Sequence, residues 1–394
     1  IKDGDEGKIR KIINDAAGKL IAEGIDKKSL TASINSIAYK LKQLSEPQGI
    51  ERAVLIQNSW LYGGDPMTYL VYNGTIEKLR KMAEGDGFEK LLSELLGSDR
   101  ELSSLRILPS ATLGEDLRAD EEKRLESETK NLSEEQISEL KAQKESLDKW
   151  QTEPDAPEAR AMLPKLPLSE VSELPEITKT EEKTVNGAKV LYHRIATNGT
   201  VHIKLYFPLT NLTSEELTKI TLMPHLYKEL PTKKYGVLEL QQRIKTYIGS
   251  LKFYLSVLSR GEKEMCTPCL TVSAGLLEEN LPEAKELLEE IILNTEFDHN
   301  DKIKEKAAQV DESQRQSAMG SGHILASLSA CAHFTAADAA EEAVKGYSAI
   351  NHIHKFVKNF DETVEEFKAL IKRVYKESII RNGLIASVTD TDEI

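Results

Sequence analysis

The sequence predicts an α+β fold in which helices pack on a mainly antiparallel sheet, preceded by a helical segment and a charged helical hairpin. In the first third of the chain, apolar residues recur every three to four positions, which is the period of an amphipathic helix. After residue 185 the period changes to two, which is typical of half-buried strands. A strand pair, helices, a second strand pair, more helices and a last strand then follow. This order is typical of helices covering one sheet.

Charge and hydropathy exclude several classes of protein. The 394 residues carry 52 Lys and Arg against 65 Asp and Glu, a formal net charge of −13. This excess of acidic groups argues against nucleic-acid binding and against docking on anionic lipid. No run of about eighteen apolar residues occurs, so we expect no membrane-spanning helix. The chain begins at Ile1 without an initiator methionine and stops at Ile394 just after an apolar run, so we expect a piece of a longer protein.

Residues 1–114 are predicted to be mostly helical. Gly24 stands where a left-handed residue would end the first helix, and Asp26 can cap the second. The apolar faces of these helices contain Ile9, Ile12, Ile13, Ala16, Ala17, Leu20 and Ile21 in the first, and Leu30, Ile34, Ile37, Leu41 and Leu44 in the second. Shorter apolar-periodic pieces lie at 51–61, 66–72, 75–83 and 86–97, with a short strand candidate at 104–108.

Residues 115–152 are predicted to form a charged helical hairpin. Residues 131–133 (Asn-Leu-Ser) break the helical pattern, and Ser133 with Gln136 makes a capping box for the second helix. A narrow apolar seam runs along that helix at Ile137, Leu140, Leu147 and Trp150. We expect this seam to pack within the hairpin while the outer faces stay solvated. Five prolines in 153–176 then predict an extended connector and a domain boundary.

Residues 177–394 are predicted to form an α+β domain. In 201–209 the apolar side chains should face the helices, while Lys204 and Tyr206 point to the opposite side. Those apolar residues are Val201, Ile203, Leu205, Phe207 and Leu209. The remaining predicted strands are 190–195, paired with 201–209 through a turn at 197–199, then 250–258 paired with 264–274, and a last strand at 384–389. The predicted helices are 214–230, 236–248, 281–294, 300–318, 338–358 and 361–380.

The three cysteines do not form a recognisable redox or zinc motif, and they are too few for a disulfide scaffold. Cys266 and Cys269 have the Cys-x-x-Cys spacing, but they lie in a predicted strand, where positions i and i+3 point to opposite faces. A redox pair would instead open a helix. We expect two strand cysteines, one of them buried, and a core thiol at Cys331.

The eight histidines are scattered. His352 and His354 are two residues apart on a predicted helix, so they point to different faces and are poor joint ligands. His225 and Glu229 share a helical face, but two ligands leave a zinc site incomplete. His-x-x-Glu-His does not occur in the sequence.

Two glycine-containing segments have structural explanations. Residues 319–323 (Met-Gly-Ser-Gly-His) lack the preceding strand and the Lys-Ser/Thr of a phosphate loop, so we expect a break between helices. Residues 60–66 (Trp-Leu-Tyr-Gly-Gly-Asp-Pro) are typical of a packed helix end followed by a turn. A peptide-binding role for residues 60–66 is the alternative. No nucleophile motif occurs.

The order of several motifs resembles the presequence-protease branch of the insulinase-like (pitrilysin) zinc metallopeptidases. The matching pieces are 23–26 (Glu-Gly-Ile-Asp), 33–37, 60–66 with Leu70, the charged hairpin with 132–135, 151–158 (Gln-Thr-Glu-Pro-Asp-Ala-Pro-Glu), 163–171, 197–199 with its strand, 320–323 and 382–383. No single piece is decisive, but their order and spacing extend over nearly the whole chain.

The resemblance implies four α+β domains, each a metallopeptidase-like α/β roll, in two halves that are joined by a helical hairpin and close around a peptide. It implies zinc on an inverted His-x-x-Glu-His in the N-terminal domain. By that template this chain would run from late in the second domain, through the hairpin, to near the end of the third. The zinc domain would lie outside it, as would the Arg and Tyr that the family places late in its C-terminal half.

We therefore assign no catalytic, cofactor-binding or metal-binding residue to this chain. The third domain would be a degenerate copy of the catalytic one. Counted back from 233–236, its zinc motif would fall on 222–226 (Leu-Met-Pro-His-Leu), where His225 is the one residue that could bind metal.

The resulting hypothesis is a non-catalytic central part of a zinc metalloendopeptidase that degrades peptides in a closed chamber. The partner would be a peptide, and an acidic inner wall would attract basic peptides such as targeting presequences. Lys204 and Tyr206 could line the chamber. The alternative is a catalytically inactive structural or interaction protein on the same fold; a helical adaptor fits poorly, because the strand alternation is too regular. We expect a soluble protein, cytoplasmic if bacterial and organellar if eukaryotic.

Overall fold

The computed structural model describes residues 6–43, 48–97, 105, 107–171, 177–259, 261, 263–379 and 383–391. The chain divides into two compact units, of which one comprises Ile1–Ser98 with Thr178–Ile394 and the other Asp99–Ile177. No helix in the described ranges is both long enough and apolar enough to cross a bilayer.

The first unit begins with five helices. They are α1 Glu6–Glu23, α2 Lys27–Lys42, α3 Gln48–Trp60, α4 Asn73–Glu84 and α5 Gly87–Leu96. Gly24 has a φ of +87°, which is why glycine ends α1 as predicted. Asp26 caps α2, because its carboxylate accepts hydrogen bonds from the backbone N–H groups of Lys28 and Ser29. Residues 66–72, predicted as an apolar-periodic piece, form turns instead of a helix.

Much of the apolar face predicted for α1 and α2 is exposed. Among the α1 residues whose burial is described, Ala17 alone is buried, and Ile12 is 66% exposed. In α2 the buried positions include Ile34 and Tyr39, whereas Ile37 is exposed. Of the strand candidate at 104–108, residues 104 and 106 lie outside the described residues, and the other three are not in a strand.

The second unit contains α6 Leu113–Thr129, α7 Glu134–Thr152 and the short α8 Pro157–Ala161. The predicted capping box is present, since Ser133 Oγ accepts from Gln136 N at 3.2 Å and Gln136 Oε1 accepts from Ser133 N at 2.9 Å. The apolar seam does not pack within the hairpin as predicted. No residue of α6 or α7 is buried, and Trp150 is 77% exposed.

The sheet of the first unit has six strands in the spatial order β1-β2-β6-β3-β5-β4. These strands are β1 Thr180–Val185, β2 Ala188–Arg194, β3 Thr200–Pro208, β4 Ser250–Leu258, β5 Thr267–Leu277 and β6 Ile385–Asp390. All neighbouring strands are antiparallel except β2 and β6. This sheet and its helices confirm the predicted α+β class.

The predicted pairing of 190–195 with 201–209 is wrong. The last strand, β6, lies between β2 and β3, parallel to the first and antiparallel to the second. The antiparallel partner of β2 is instead β1, which was not predicted because Thr180–Val185 is exposed throughout and lacks an apolar alternation. Asn186 and Gly187 join these two strands with φ values of +50° and +83°, as a tight hairpin turn requires.

Nine α-helices follow β3 in the described part of the chain. They are α9 Ser214–Lys219, α10 Met223–Leu226, α11 Val237–Tyr247, α12 Leu281–Asn294, α13 Asn300–Gly320, α14 Gly322–Cys331, α15 Ala336–Lys345, α16 Tyr347–Lys358 and α17 Phe360–Val374. The predicted single helices 214–230 and 338–358 are each interrupted, the second at Gly346. The predicted break at 320–322 is confirmed, but the helix α14 that follows it was missed.

The core lies between one face of the sheet and these helices. Val201, Phe207 and Leu209 are buried there, and Ile203 and Leu205 pack against the same cluster, which confirms the predicted alternation of β3. Aromatic packing fills the middle of this core. The ring of Tyr227 stacks on Phe253 with centroids 4.5 Å apart and meets Phe297 edge-on at 5.4 Å.

Candidate functional site

The candidate site is the side of the sheet that faces away from the helical core, which we call the polar face. Strand alternation places the side chains of His202, Lys204 and Tyr206 on this face, opposite Phe207 and its apolar neighbours. The register extends this face across the sheet in rows. One row contains Leu191, Ser387, Lys204, Ser273 and Lys252, and the next contains Lys189, Ile385, Tyr206, Thr271 and Tyr254.

Helix α2 covers one end of the polar face. Its Tyr39 lies so close to Gly249 and Gly275 that a β-carbon at either glycine would overlap the tyrosine side chain. Leu277, at the same end of β5, packs in one cluster with Ile34 and its neighbours. His202 is half-buried under this cover. The polar face is therefore closed at this end.

The middle of the polar face is uncovered. Lys204 and Lys252 are exposed and lie on either side of Ser273, to which both are paired in register. Tyr206 and Tyr254 flank Thr271 in the same way, with Tyr206 half-buried and Tyr254 exposed. The uncovered part of the face thus presents two ammonium groups beside two phenol rings.

Electrostatics on the polar face follow from burial and from the lysines. Burial lowers the pKa of His202, and the positive charge of Lys204 lowers that pKa further. Burial raises the pKa of Tyr206. A neutral imidazole and neutral phenols beside charged lysines can accept and donate hydrogen bonds to a polar chain laid across the face.

A chain of hydrogen bonds links the strands at the β1 side of the face. His193 Nδ1 lies 3.1 Å from Thr180 Oγ1, and His193 Nε2 lies 3.1 Å from Ser387 Oγ. Two hydroxyls around one imidazole, with no carboxylate bonded to it among the described residues, do not form a nucleophilic triad. This network ties β1, β2 and β6 together.

Sequence reasoning identified Lys204 and Tyr206 but missed Lys252 and Tyr254. The missed residues could have been found from the alternation in β4, where Leu251, Phe253 and Leu255 are buried and the residues between them are not.

The expected acidic wall is not found among the described residues of the polar face. The acidic residue that continues the row of Lys204 onto β1 is Glu182, which the register pairs with Leu191. Its carboxylate forms an ion pair with Lys189 at 2.8 Å. The open part of this face is therefore basic.

The residues aligned with the degenerate zinc motif do not fit a metal ion. Leu222, Met223, Pro224 and Leu226 are buried, and three of them belong to the main core cluster. The remaining position, His225, has its pKa lowered by desolvation and by the ammonium groups of Lys306 and Lys228.

Glu229 lies beyond the end of α10 at Leu226, so the prediction that it shares a helical face with His225 is wrong, and its carboxylate lies 3.0 Å from Lys306 Nζ. Across the described residues no group of three or more His, Cys, Asp or Glu is placed to hold a metal.

The cysteines are free thiols in different environments. Cys269 is buried in β5, which raises its pKa to about 11. Cys266 lies just before that strand, and its Sγ donates to the carbonyl of Ala336 at 3.4 Å. The prediction of one buried cysteine in this pair is confirmed, but the prediction that both lie in a strand is wrong for Cys266. Cys331 is half-buried at the end of α14, so the prediction of a core thiol is wrong.

His352 and His354 lie on different sides of α16. His354 Nδ1 lies 3.0 Å from the buried carboxylate of Asp311 on α13, whereas the ring of His352 packs near Phe356. This is the separation onto two faces of the helix that their spacing predicted.

The segment 60–66 is not a packed helix end. Trp60 is 65% exposed at the end of α3, Tyr62 is exposed as well, and Gly63 takes a φ of +78°. The turn is formed as predicted, but the aromatic side chains lie in solvent.

Comparison with known proteins identifies the family. The family model described as Peptidase M16-C associated matches residues 107–356, well over half of the chain. Presequence protease 1, chloroplastic/mitochondrial, from Arabidopsis thaliana is 26% identical over 390 residues, which are 97% of this chain and 36% of that protein. Protein HypA from Clostridium perfringens is 26% identical over 349 residues, which are 86% of this chain and 36% of that protein.

A crystal structure of a peptidase M16 inactive domain from Pseudomonas fluorescens aligns with a TM-score of 0.36 at 15% identity, covering 54% of this chain and 46% of that one. The chain spans 36% of the length of the two curated relatives. The resemblance to presequence proteases inferred from the motifs is confirmed, and the chain belongs to the Peptidase M16-C associated family.

Proposed function

We propose that this chain is a non-catalytic part of a zinc-dependent metalloendopeptidase that degrades peptides in a closed chamber. Its role there is to help enclose and bind the peptide. Membership in the Peptidase M16-C associated family and similarity to a protein named presequence protease support the reaction class. The zinc would be held by a different part of the longer protein, because the positions aligned with the metal motif here are mostly core residues.

The observation that supports peptide binding best is the uneven cover of the sheet. The helices bury one side, and α2 closes one end of the polar face, but the rows containing Lys204 and Tyr206 stay open. An open sheet face with ammonium, hydroxyl and phenol groups offers both hydrogen bonds and apolar contact to an extended chain. We propose that this part of the face lines the peptide chamber.

The domain division belongs to the same proposal. Residues 1–114 would complete a preceding α+β domain, and 115–152 would link the two halves of the longer protein. Residues 153–176 would be the proline-rich connector, and 177–394 would form the non-catalytic domain. The exposed apolar residues of α1 and α3, such as Ile12 and Ile50, support the idea that these helices complete another domain. The compartment would be the cytoplasm in a bacterium and an organelle in a eukaryote.

The experiment compares peptide binding by wild type and by Tyr206→Thr and Lys204→Ala. Binding of a fluorescein-labelled peptide of mixed sequence, followed by anisotropy, should weaken by roughly threefold or more in each variant, as for residues at the centre of a contact. Tyr347→Ala is the matched control, because Tyr347 is exposed on α16 in the helical layer. Unchanged affinity in both polar-face variants would contradict the proposal.

A further inference from the structure

We propose that the uncovered part of the polar face binds an acidic segment of an extended peptide. This inference rests on the proposed function and adds the class of substrate segment that the face selects. It opposes the simpler expectation, drawn from the net charge of −13, that the chain attracts basic peptides.

The uncovered part of the polar face carries positive charge. Among the residues that the structure describes, neither Lys204 nor Lys252 forms an ion pair with a carboxylate, although both are exposed. Lys189 on the same face is already neutralised by Glu182 at 2.8 Å. In a chain with an excess of acidic residues, two unpaired ammonium groups side by side therefore form a locally positive surface.

The positive charges of Lys204 and Lys252 also affect the pKa values of neighbouring groups. Lys204 contributes, after burial, to the lowered pKa of His202. Lys252 similarly contributes, after burial and together with Lys306, to the lowered pKa of Lys228, whose Nζ donates to the carbonyl of Leu251 at 3.0 Å. Both directions agree with the positive charge that the two exposed lysines place on and beside this part of the sheet.

Spacing determines which ligand fits. Lys204 and Lys252 lie two strands apart with Ser273 between them, which separates their backbones by about 10 Å. Carboxylates at positions i and i+2 of an extended peptide lie on one side of it, about 7 Å apart. Long lysine side chains span this difference, so a peptide crossing the strands can place one carboxylate beside each ammonium group.

The neighbouring row supplies the remaining contacts. Tyr206 and Tyr254 present rings next to the lysines, and Ser256 and Thr271 share a hydrogen bond of 2.6 Å beneath them. Phenol rings of this kind bind apolar side chains while their hydroxyls bond to a peptide backbone. The preferred segment therefore has acidic residues at i and i+2, and Tyr206 and Tyr254 lie alongside its backbone.

The test uses the 394-residue chain and three labelled twelve-residue peptides that differ only at positions i and i+2, which are Asp, Asn or Lys. We expect tightest binding of the Asp peptide at low salt, with the preference reduced at about 0.5 M NaCl. Lys204→Gln with Lys252→Gln should weaken binding of the Asp peptide roughly fivefold and leave the Asn peptide nearly unchanged. Lys285→Gln, on the helical side, is the matched control.

Charge reversal makes the test independent of stability. Lys204→Glu with Lys252→Glu should invert the preference, so that the Lys peptide binds more tightly than the Asp peptide. If wild type prefers the Lys or Asn peptide while Tyr206→Thr still weakens binding, the acidic class is wrong and the proposed function stands. If neither Tyr206→Thr nor the lysine variants change any affinity, or if no peptide binds, the binding face itself is wrong and this inference falls with it.

Discussion

Tyr39 of α2 lies directly against Gly275 of β5, close enough that the glycine leaves room for the tyrosine hydroxyl only because it has no side chain. Tyr39 is 3% exposed, and the same ring also covers Gly249 just before β4. Two residues separated by more than two hundred positions in sequence thus help to hold α2 on the sheet. This contact defines where the polar face ends and where it stays open.

Replacing Gly275 should therefore loosen the cover. Gly275→Ala places a methyl group where Tyr39 lies, and we expect a loss of about 1–3 kcal/mol in the free energy of unfolding, the usual cost of overpacking. The residue has no left-handed φ, so backbone strain does not contribute. Urea denaturation of Gly275→Ala, Tyr39→Ala and the double variant measures the coupling. If Gly275→Ala lowers the free energy of unfolding by the same amount in wild type and in Tyr39→Ala, the two residues do not clash.

A second prediction concerns the core side of β3. Phe207 is 4% exposed within the main cluster, so Phe207→Ala should destabilise the protein by about 3–5 kcal/mol. Lys204→Ala, three residues away on the exposed side of the same strand, should change stability by less than about 0.5 kcal/mol. Thermal melting of both variants provides the comparison. A wild-type melting curve for Phe207→Ala would contradict the burial of this face.

The local sequence pattern was sufficient to predict most of the helices and which side chains of each strand are buried. It was not sufficient to predict the order of the strands in the sheet. The alternation in β3 predicts Phe207 inside and Lys204 outside, because each choice depends only on the neighbouring residues. The position of β6 between β2 and β3 depends on contacts almost two hundred residues apart, such as Ile203 opposite Val388. Nothing in the pattern of 190–195 distinguishes a hairpin from this parallel insertion.

The candidate site shows the same limit. Lys204 and Tyr206 were identified on one strand, but their grouping with Lys252 and Tyr254 requires the β3-β5-β4 register. The cover by Tyr39 requires the docking of α2, which no local signal encodes. Conversely, the exposed Trp60 was predicted to pack because aromatic residues at helix ends usually do.

The contact between Glu89 on α5 and the backbone of Ile25 should be sensitive to acid. Glu89 is 8% exposed, and its Oε1 accepts a hydrogen bond of 2.8 Å from the backbone N–H of Ile25. That bond, with help from the charge of Lys27, lowers the pKa of Glu89. A carboxyl group with a lowered pKa stabilises the fold above its unfolded pKa of about 4.3, and this stabilisation is lost as the pH falls through the folded value.

The measurement is the melting temperature of wild type and Glu89→Gln between about pH 7 and pH 3, which brackets the unfolded pKa of a glutamate. At neutral pH, Glu89→Gln should melt at a lower temperature than wild type. This gap in melting temperature should close as the pH falls, because the wild-type carboxyl becomes protonated. Glu94→Gln, exposed on the same helix, should show no such gap. A gap that persists unchanged in acid would mean that the amide disturbs packing and that the charge is irrelevant.

The start of α7 depends on the capping box more than a buried helix would, because no residue of α7 is buried. Ser133→Ala removes the oxygen that accepts from Gln136 N at 3.2 Å, so the first turn should lose about 1 kcal/mol of local stability. Ser138→Ala makes the same chemical change within the helix, where alanine is the better helix former, and should stabilise it by about a few tenths of a kcal/mol. Amide hydrogen exchange across 134–140 distinguishes the two, since protection should fall in the first variant and rise slightly in the second. Equal protection in both variants would show that Ser133 Oγ does not hold the helix start, and that the reciprocal bond from Ser133 N to Gln136 Oε1 at 2.9 Å is sufficient alone.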